Sequence, residues 1–144
     1  MFLEDFIVGQ KYILDPVAIS REEIFSFAAE YDPQPLHVDE AFAAESIFHG
    51  IIASGYHTLC VIWKQFIKLN LFSTEIVGGV GFDYLRWTAP VYPGDRLFTD
   101  VEIIEVIPIQ GKKQGILVTR FETRNESGKL VFTMLVRQIL KCRS

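Results

Sequence analysis

The sequence predicts an α+β protein in which an antiparallel sheet packs against one long helix. Two observations predict this class. First, helical spacing of apolar residues is confined to the first half of the 144-residue chain, and alternation with a period of two begins at about residue 76. Second, the longest helical segment is apolar on nearly every side, which is typical of a helix enclosed by other elements.

The first half of the chain contains signals for one short strand and three helices. Lys11–Leu14 is the predicted strand, and Ser20 begins the first helix because Glu23 completes a capping box with it. Asp39 is expected to cap a short second helix that ends near Ala44. The apolar positions of the first helix are Ile24, Phe27, Ala28 and Tyr31.

The third helix is the long one. Ser54 or Gly55 begins it, and the helical pattern continues to about Leu69. One face consists of Leu59, Ile62, Phe66 and Leu69. Further apolar residues at positions 60, 61, 63 and 67 leave little polar surface, so the helix is expected to be buried.

Alternation with a period of two predicts four long strands in the second half. The alternating residues are Val80, Phe82 and Tyr84 in the first strand and Leu97, Thr99, Val101 and Ile103 in the second. Ile104 breaks the alternation, which predicts a β-bulge. Ile116–Asn125 and Leu130–Leu140 form a hairpin around the loop at residues 125–129. The aromatic residues Phe82, Tyr84 and Trp87 are expected in the sheet core, and the alternative is that any of them lines an acyl pocket.

Length and composition fit one domain with a single core and exclude several classes of protein. A net charge of −4 argues against a nucleic-acid-binding protein, which would usually carry a basic face. The weakly polar stretch at residues 50–63 is too short to cross a bilayer, and the first residues do not resemble a signal peptide. A cytoplasmic protein with two reduced thiols is therefore expected. The hydrophobic fraction of 49% predicts apolar surface that a second subunit or a ligand covers.

The segment YDPQPLHVDE, residues 31–40, places an acid and an imidazole close together in a stiffened part of the chain. Pro33 ends the first helix after Asp32, and Leu36 is expected to point inward, which brings His37 near the core. A carboxylate and an imidazole in a partly desolvated pocket adjust each other's proton affinity, as acid–base catalysis requires. The alternative is a turn-forming aspartate and a hydrogen-bonded core histidine.

Ser54 and Gly55, at the start of the long helix, form a second candidate site. The first backbone N–H groups of a helix have no intrahelical acceptor, and the helix dipole is positive there. Because glycine permits close approach to the backbone, this site suits the developing oxyanion of a thioester enolate. The alternative is a serine cap followed by a tightly packed glycine. No metal site is expected, because the spacing of the three histidines fits no familiar ligand pattern.

Three segments taken together resemble the MaoC-like dehydratases, which include the (R)-specific enoyl-CoA hydratases. The segments are YDPQPLHVDEAFA, ASG at the start of the long helix, and APVYPGD at residues 89–95. Their order and spacing match this family from about residue 5 to the end. The resemblance implies a single MaoC-like domain over residues 1–144 with the hot-dog fold, an antiparallel sheet wrapped around a long central helix. It also implies a homodimer or higher homo-oligomer, and no cofactor.

The resemblance further implies a reaction and a set of site residues. Asp32 and His37 correspond to the catalytic dyad of the family, and Gly55 to the residue whose backbone N–H polarises the thioester carbonyl. The reaction expected is reversible syn hydration of a trans-2-enoyl thioester, of coenzyme A or acyl carrier protein, to the (3R)-3-hydroxyacyl thioester. The residues expected to bind the substrate are Pro35, Leu36, Ser54, Tyr56 and Phe82.

Two positions depart from the family pattern, with Gln34 where asparagine is usual and Ser54 where many members carry histidine. Two other functions fit the same fold. One is an acyl-CoA thioesterase in which Asp32 directs water to the carbonyl, and the other is a non-catalytic subunit that binds acyl thioesters. The intact pair of Asp32 and His37 favours hydration, because thioesterases of this fold typically place their carboxylate elsewhere and a binding subunit needs no dyad.

Overall fold

The computed structural model describes residues 1–143 and contains four α-helices and six strands. The helices are α1 (Arg21–Tyr31), α2 (Pro35–Val38), α3 (Glu40–Glu45) and α4 (Gly55–Ile67). The strands are β1 (Lys11–Ile13), β2 (Val17–Ala18), β3 (Ile76–Trp87), β4 (Arg96–Pro108), β5 (Gln114–Arg124) and β6 (Leu130–Lys141). The predicted order of one strand, then helices, then four long strands is confirmed, and the short elements α2 and β2 are additional.

Every strand pair in the sheet is antiparallel. The strand order is β1-β4-β5-β6-β3, and the short β2 also pairs with β4. The pairing of β4 with β5 changes register between Ile103 and Glu105, so the bulge predicted at Ile104 is confirmed. Strand β3 lies at one edge of the sheet and pairs only with β6 along it. This position leaves one side of a twelve-residue strand without a neighbouring strand in the described part of the chain.

The predicted helix starts are confirmed by their hydrogen bonds. The Ser20 hydroxyl oxygen accepts from the backbone N–H of Glu23 at 3.1 Å, and the Glu23 carboxylate accepts from the backbone N–H of Ser20 at 3.0 Å. The Asp39 carboxylate accepts from the backbone N–H of Phe42 at 3.1 Å and so caps α3. These caps fix where α1 and α3 begin, and the candidate site lies between the two helices.

Helix α4 packs against the sheet through aromatic side chains. The Phe66 and Trp63 rings lie 5.0 Å and 5.9 Å from the Phe121 ring of β5, and Phe121 has no exposed surface. Ile62 and Phe66 are buried as predicted. Within residues 1–143 no helix is long and apolar enough to cross a membrane.

The expectation that α4 is buried on nearly every side is wrong for this chain, and so is the expectation that the aromatic residues of β3 lie in the core. Tyr56, Cys60 and Ile67 of α4 are exposed, and Phe82 and Trp87 of β3 are about half exposed. The reason is the edge position of β3. Among residues 1–143, no further element covers the flank that α4 and β3 share.

Candidate active site

Two prolines shape the turn from α1 into α2, which places Asp32 directly after α1 and His37 within α2. Asp32 directly follows α1, where its backbone N–H still donates to Ala28 O at 2.9 Å, and Pro33 prevents the helix from continuing. Pro35 is the first residue of α2, a position that suits its fixed φ angle and missing N–H. This turn directs both functional side chains toward the same place.

The hydrogen bonds of His37 define the state of its ring. Nδ1 lies 2.7 Å from the carbonyl oxygen of Ile52, and because a carbonyl can only accept, Nδ1 carries the proton. In the neutral imidazole Nε2 is then an acceptor, and it faces Asp32 Oδ2 at 3.4 Å. The His37 and Asp32 side chains are only 7% and 11% exposed. Two hydrogen-bond acceptors, Asp32 Oδ2 and His37 Nε2, therefore lie close together where little solvent reaches them.

Gln34 and Ser54, the two residues that depart from the family pattern, both donate hydrogen bonds to the Asp32 carboxylate. The Ser54 hydroxyl donates to Oδ2 at 2.7 Å, and the Gln34 side-chain amide donates to Oδ1 at 2.7 Å. Ser54 is completely buried and its hydroxyl does not cap α4. The structure thus places Ser54 behind the dyad, where it holds Asp32.

These donors keep the buried carboxylate ionised. Burial is the largest single influence on Asp32 and by itself raises its pKa. The hydrogen bonds from Ser54 and Gln34, with a smaller electrostatic contribution from His37 when its ring is protonated, outweigh burial, so the pKa of Asp32 lies below its usual value. At neutral pH Asp32 is an anion that can accept a proton or a hydrogen bond.

Gly55 lies beside this pair, at the first position of α4. Its backbone N–H has no intrahelical acceptor. A Cβ at this position would overlap the indole of Trp87, so the close approach of β3 requires glycine. Gly55 and His37 line one cavity of about 330 Å³. The other residues that line it are Phe48, Ile52, Ala53, Thr58, Trp87, Thr88, Ala89, Pro90 and Val91.

The remaining residues expected to bind substrate lie elsewhere. Pro35 is exposed, Leu36 is half-buried, and neither lines the cavity of His37 and Gly55. Tyr56 is 58% exposed and meets Trp87 edge-on at 5.3 Å. Phe82 lines a separate cavity of about 280 Å³ farther along α4. The structure therefore brings together Asp32, His37, Ser54 and Gly55. It adds Trp87, for which lining a pocket was the alternative to a place in the sheet core, and Thr58, which no sequence signal indicated.

The other two histidines take no part in this cluster. His49 is exposed, whereas His57 is buried and stacks on Phe27 with ring centroids 4.3 Å apart. Burial lowers the pKa of His57, and the Glu23 carboxylate opposes that shift. Among residues 1–143 there is no group of three or more His, Cys, Asp or Glu side chains that could hold a metal ion.

The chain belongs to the MaoC-like family. The sequence profile described as MaoC like domain matches residues 5–125. The "Uncharacterized protein YdeM" of Bacillus subtilis is 37% identical over 132 residues, which cover 92% of this chain and 93% of that protein. The "3-hydroxyacyl-thioester dehydratase Z" of Mycobacterium tuberculosis is 30% identical over 123 residues, with 83% and 80% covered.

The fold is also that of a solved member of the family. The crystal structure of the MaoC-like dehydratase from Rhodospirillum rubrum matches with a TM-score of 0.91 and 30% identity, covering 100% of this chain and 99% of that one. The predicted α+β hot-dog fold is confirmed. The resemblance of the three segments to MaoC-like dehydratases is confirmed as well.

Replacement of Ser54 by alanine is predicted to raise the pKa of Asp32, because the hydroxyl stabilises the ionised carboxylate more than the protonated form. The pKa is measured by carboxyl NMR titration of wild-type and Ser54→Ala protein. Ser26→Ala, at an exposed position of α1, is the control and leaves the pKa unchanged. An equal Asp32 pKa in wild-type and Ser54→Ala protein would contradict the hydrogen bond between the two residues.

Proposed function

We propose that this protein is a hydro-lyase that adds water reversibly, with syn geometry, to a trans-2-enoyl-CoA to give the (3R)-3-hydroxyacyl-CoA. The observation that carries the proposal is the convergence of two acceptors, Asp32 Oδ2 and His37 Nε2, which lie 3.4 Å apart in a nearly dry environment. His37 shares its cavity with the first backbone amide of α4. A site for one water molecule thus adjoins a site for a developing oxyanion.

The chain's own groups account for each proton in this reaction. Asp32 and His37 accept hydrogen bonds from one water molecule and remove a proton from it as its oxygen attacks C3. The electron pair of the double bond moves toward the thioester carbonyl, whose oxygen becomes enolate-like and accepts from the Gly55 N–H. The pair then delivers a proton to C2, and the carbonyl re-forms. Because water and proton come from the same pair, both add to the same face.

The thioester class of the substrate is supported by the relative named 3-hydroxyacyl-thioester dehydratase. The (3R) configuration is proposed from the resemblance of the three sequence segments to the (R)-specific hydratases. Coenzyme A and acyl carrier protein are both suitable carriers, and a cytoplasmic location remains our expectation. In the thioesterase alternative, the same water would attack the carbonyl carbon and release the thiol.

We also propose that the active form is a homodimer in which a second copy covers β3. A long strand at a sheet edge exposes unpaired backbone groups, and natural proteins cover or interrupt such edges. The exposed apolar residues Val77, Val80, Phe82 and Trp87 lie on this strand, and Tyr56, Cys60 and Ile67 lie on the neighbouring flank of α4. A second copy that pairs with β3 would cover both sets.

Replacement of Asp32 by asparagine is predicted to lower the hydration rate at least ~10²-fold, because it removes the proton acceptor and keeps the shape of the side chain. Crotonyl-CoA is the substrate, and loss of enoyl absorbance and release of free thiol are followed together. His37→Ala is expected to lose activity to a similar degree. Asp100→Asn, at an exposed position of β4, is the control and retains full activity.

The expected result is that wild-type protein removes the enoyl absorbance without releasing thiol and that Asp32→Asn does not remove the absorbance. Thiol release at the same rate as absorbance loss would instead support the thioesterase. Near-wild-type turnover in Asp32→Asn would remove Asp32 from the mechanism. If wild-type protein changes neither the enoyl absorbance nor the free-thiol signal, with crotonyl-CoA and with longer and branched enoyl-CoA substrates, the result would support a binding subunit without catalytic activity.

The proposed dimer predicts that the wild-type protein sediments at twice the 16.5 kDa of one chain. Val80→Asp on β3 is expected to shift the equilibrium toward single chains, because a dimer would bury the new charge. Ile13→Asp, at an 80% exposed position on the opposite edge strand β1, is the matched control and leaves the dimer intact. A wild-type protein that sediments at 16.5 kDa at micromolar concentration would refute the dimer.

A further inference from the structure

Three cavities follow one another along the seam between α4 and β3. The first is the cavity of Gly55, where Trp87 is the β3 residue. The second, of about 280 Å³, lies farther along both elements and is lined by Cys60 of α4 and Phe82 of β3. The third, of about 360 Å³, contains Ile67 and Ile76 near the opposite ends of α4 and β3. The seam therefore leads away from the candidate oxyanion site along the whole length of α4.

Among the residues that line the second and third cavities, Gln138 is the one buried polar side chain, since Asn70 and Ser73 of the third cavity are exposed. The inward-facing residues of β6 alternate as Phe132, Met134, Val136, Gln138 and Leu140. Gln138 is only 8% exposed, and it lines both the second and the third cavity. Its neighbours along the row are all apolar core residues, so a packing requirement alone would favour an apolar side chain at position 138.

The Gln138 side-chain amide makes no hydrogen bond within residues 1–143, and its polar atoms are not fully enclosed but open onto the two cavities that the residue lines. A ligand that filled these cavities would exclude water from the amide, which would then need a hydrogen-bond partner on the ligand, because a buried polar group left unpaired costs free energy. On β3, the residue directly opposite Gln138 in the antiparallel pairing is Gly79. A Cβ at Gly79 would lie 3.4 Å from the Gln138 side-chain oxygen, so the glycine leaves space beside the amide.

The chemistry of the seam restricts what can pair with this amide. The other residues of the second cavity are Leu59, Cys60, Trp63, Phe82 and Val136. A side-chain amide donates through its NH₂ group and accepts through its oxygen, so a hydroxyl or a carbonyl can satisfy it. A group held there would be apolar over most of its length and carry one such polar substituent.

We propose that Gln138 selects acyl groups that carry a hydroxyl or carbonyl oxygen partway along the chain. The inference rests on the proposed function, which places the thioester at Gly55. The second cavity begins at Leu59 and extends to Trp63, so it lies about 6 to 12 Å farther along the axis of α4. The distal part of a medium-length acyl chain would reach Gln138, and a plain alkyl chain would leave the amide unpaired.

The test compares trans-2-octenoyl-CoA with analogues that carry a single hydroxyl at successive carbons of the distal half of the chain. For wild-type protein we expect one analogue to exceed the plain substrate in kcat/KM by at least about fivefold, the worth of one neutral hydrogen bond. Gln138→Met keeps the length of the side chain and removes its hydrogen-bonding groups. This substitution is expected to abolish or reverse the preference.

Two controls separate the possible failures. Gln110→Met, in an exposed turn, is expected to retain the wild-type preference. Crotonyl-CoA is too short to reach the second cavity, so its hydration by wild-type protein tests the proposed function independently. Failure to hydrate any enoyl-CoA would refute the proposed function itself. Hydration of crotonyl-CoA without any preference among the longer wild-type substrates would overturn only the role of Gln138.

The remaining alternative is that Gln138 pairs with a second copy of the chain. In that case Gln138→Met would weaken the dimer in sedimentation and leave the ratio of kcat/KM values unchanged, which would contradict the selection of polar acyl groups. Should Gln138→Met fail to fold, Gln138→Leu provides a second variant. The ratio of kcat/KM values for the hydroxylated and plain substrates, measured on wild-type protein, tests the selection of polar acyl groups without any variant.

Discussion

The site depends on one constraint, the stabilisation of a buried carboxylate. Asp32 loses most of its hydration at the end of α1, and an unpaired charge in that position would be strongly disfavoured. The buried hydroxyl of Ser54 supplies a hydrogen bond across 22 residues of sequence, and Gln34 supplies a second one from nearby. The bond from Ser54 joins the end of α1 to the start of α4. Acid, imidazole and the Gly55 amide are thereby brought together.

Backbone hydrogen bonds complete this arrangement. Ile52 donates its N–H to Leu36 O at 3.2 Å and accepts from the His37 ring through its carbonyl at 2.7 Å. Its neighbour Ala53 donates to Val91 O at 2.8 Å. The segment before α4 is therefore held between α2 and the segment that follows β3. This explains in physical terms why the three sequence segments shared with MaoC-like dehydratases occur together, since each holds the next in position.

Structural features that depend on residues close in sequence could be predicted from the sequence, whereas features that depend on the sheet topology and on contacts between distant segments could not. The caps at Ser20 and Asp39 and the bulge at Ile104 follow from local spacing, and all three are present. The exposure of Phe82 could not be predicted, because alternation does not show that its strand lies at a sheet edge. The bond from Ser54 to Asp32 was missed because serine before a helix reads locally as a cap.

The stereochemistry of hydration tests the central claim most directly, because Asp32 and His37 can act together only on one face of the double bond. Crotonyl-CoA is hydrated by the wild-type protein in heavy water, and the relative configuration at C2 and C3 of the product is determined by NMR. The geometry predicts a single diastereomer with deuterium and hydroxyl added to the same face. Anti addition, or a mixture formed without exchange at C2 after hydration, would contradict a shared water held by the two residues.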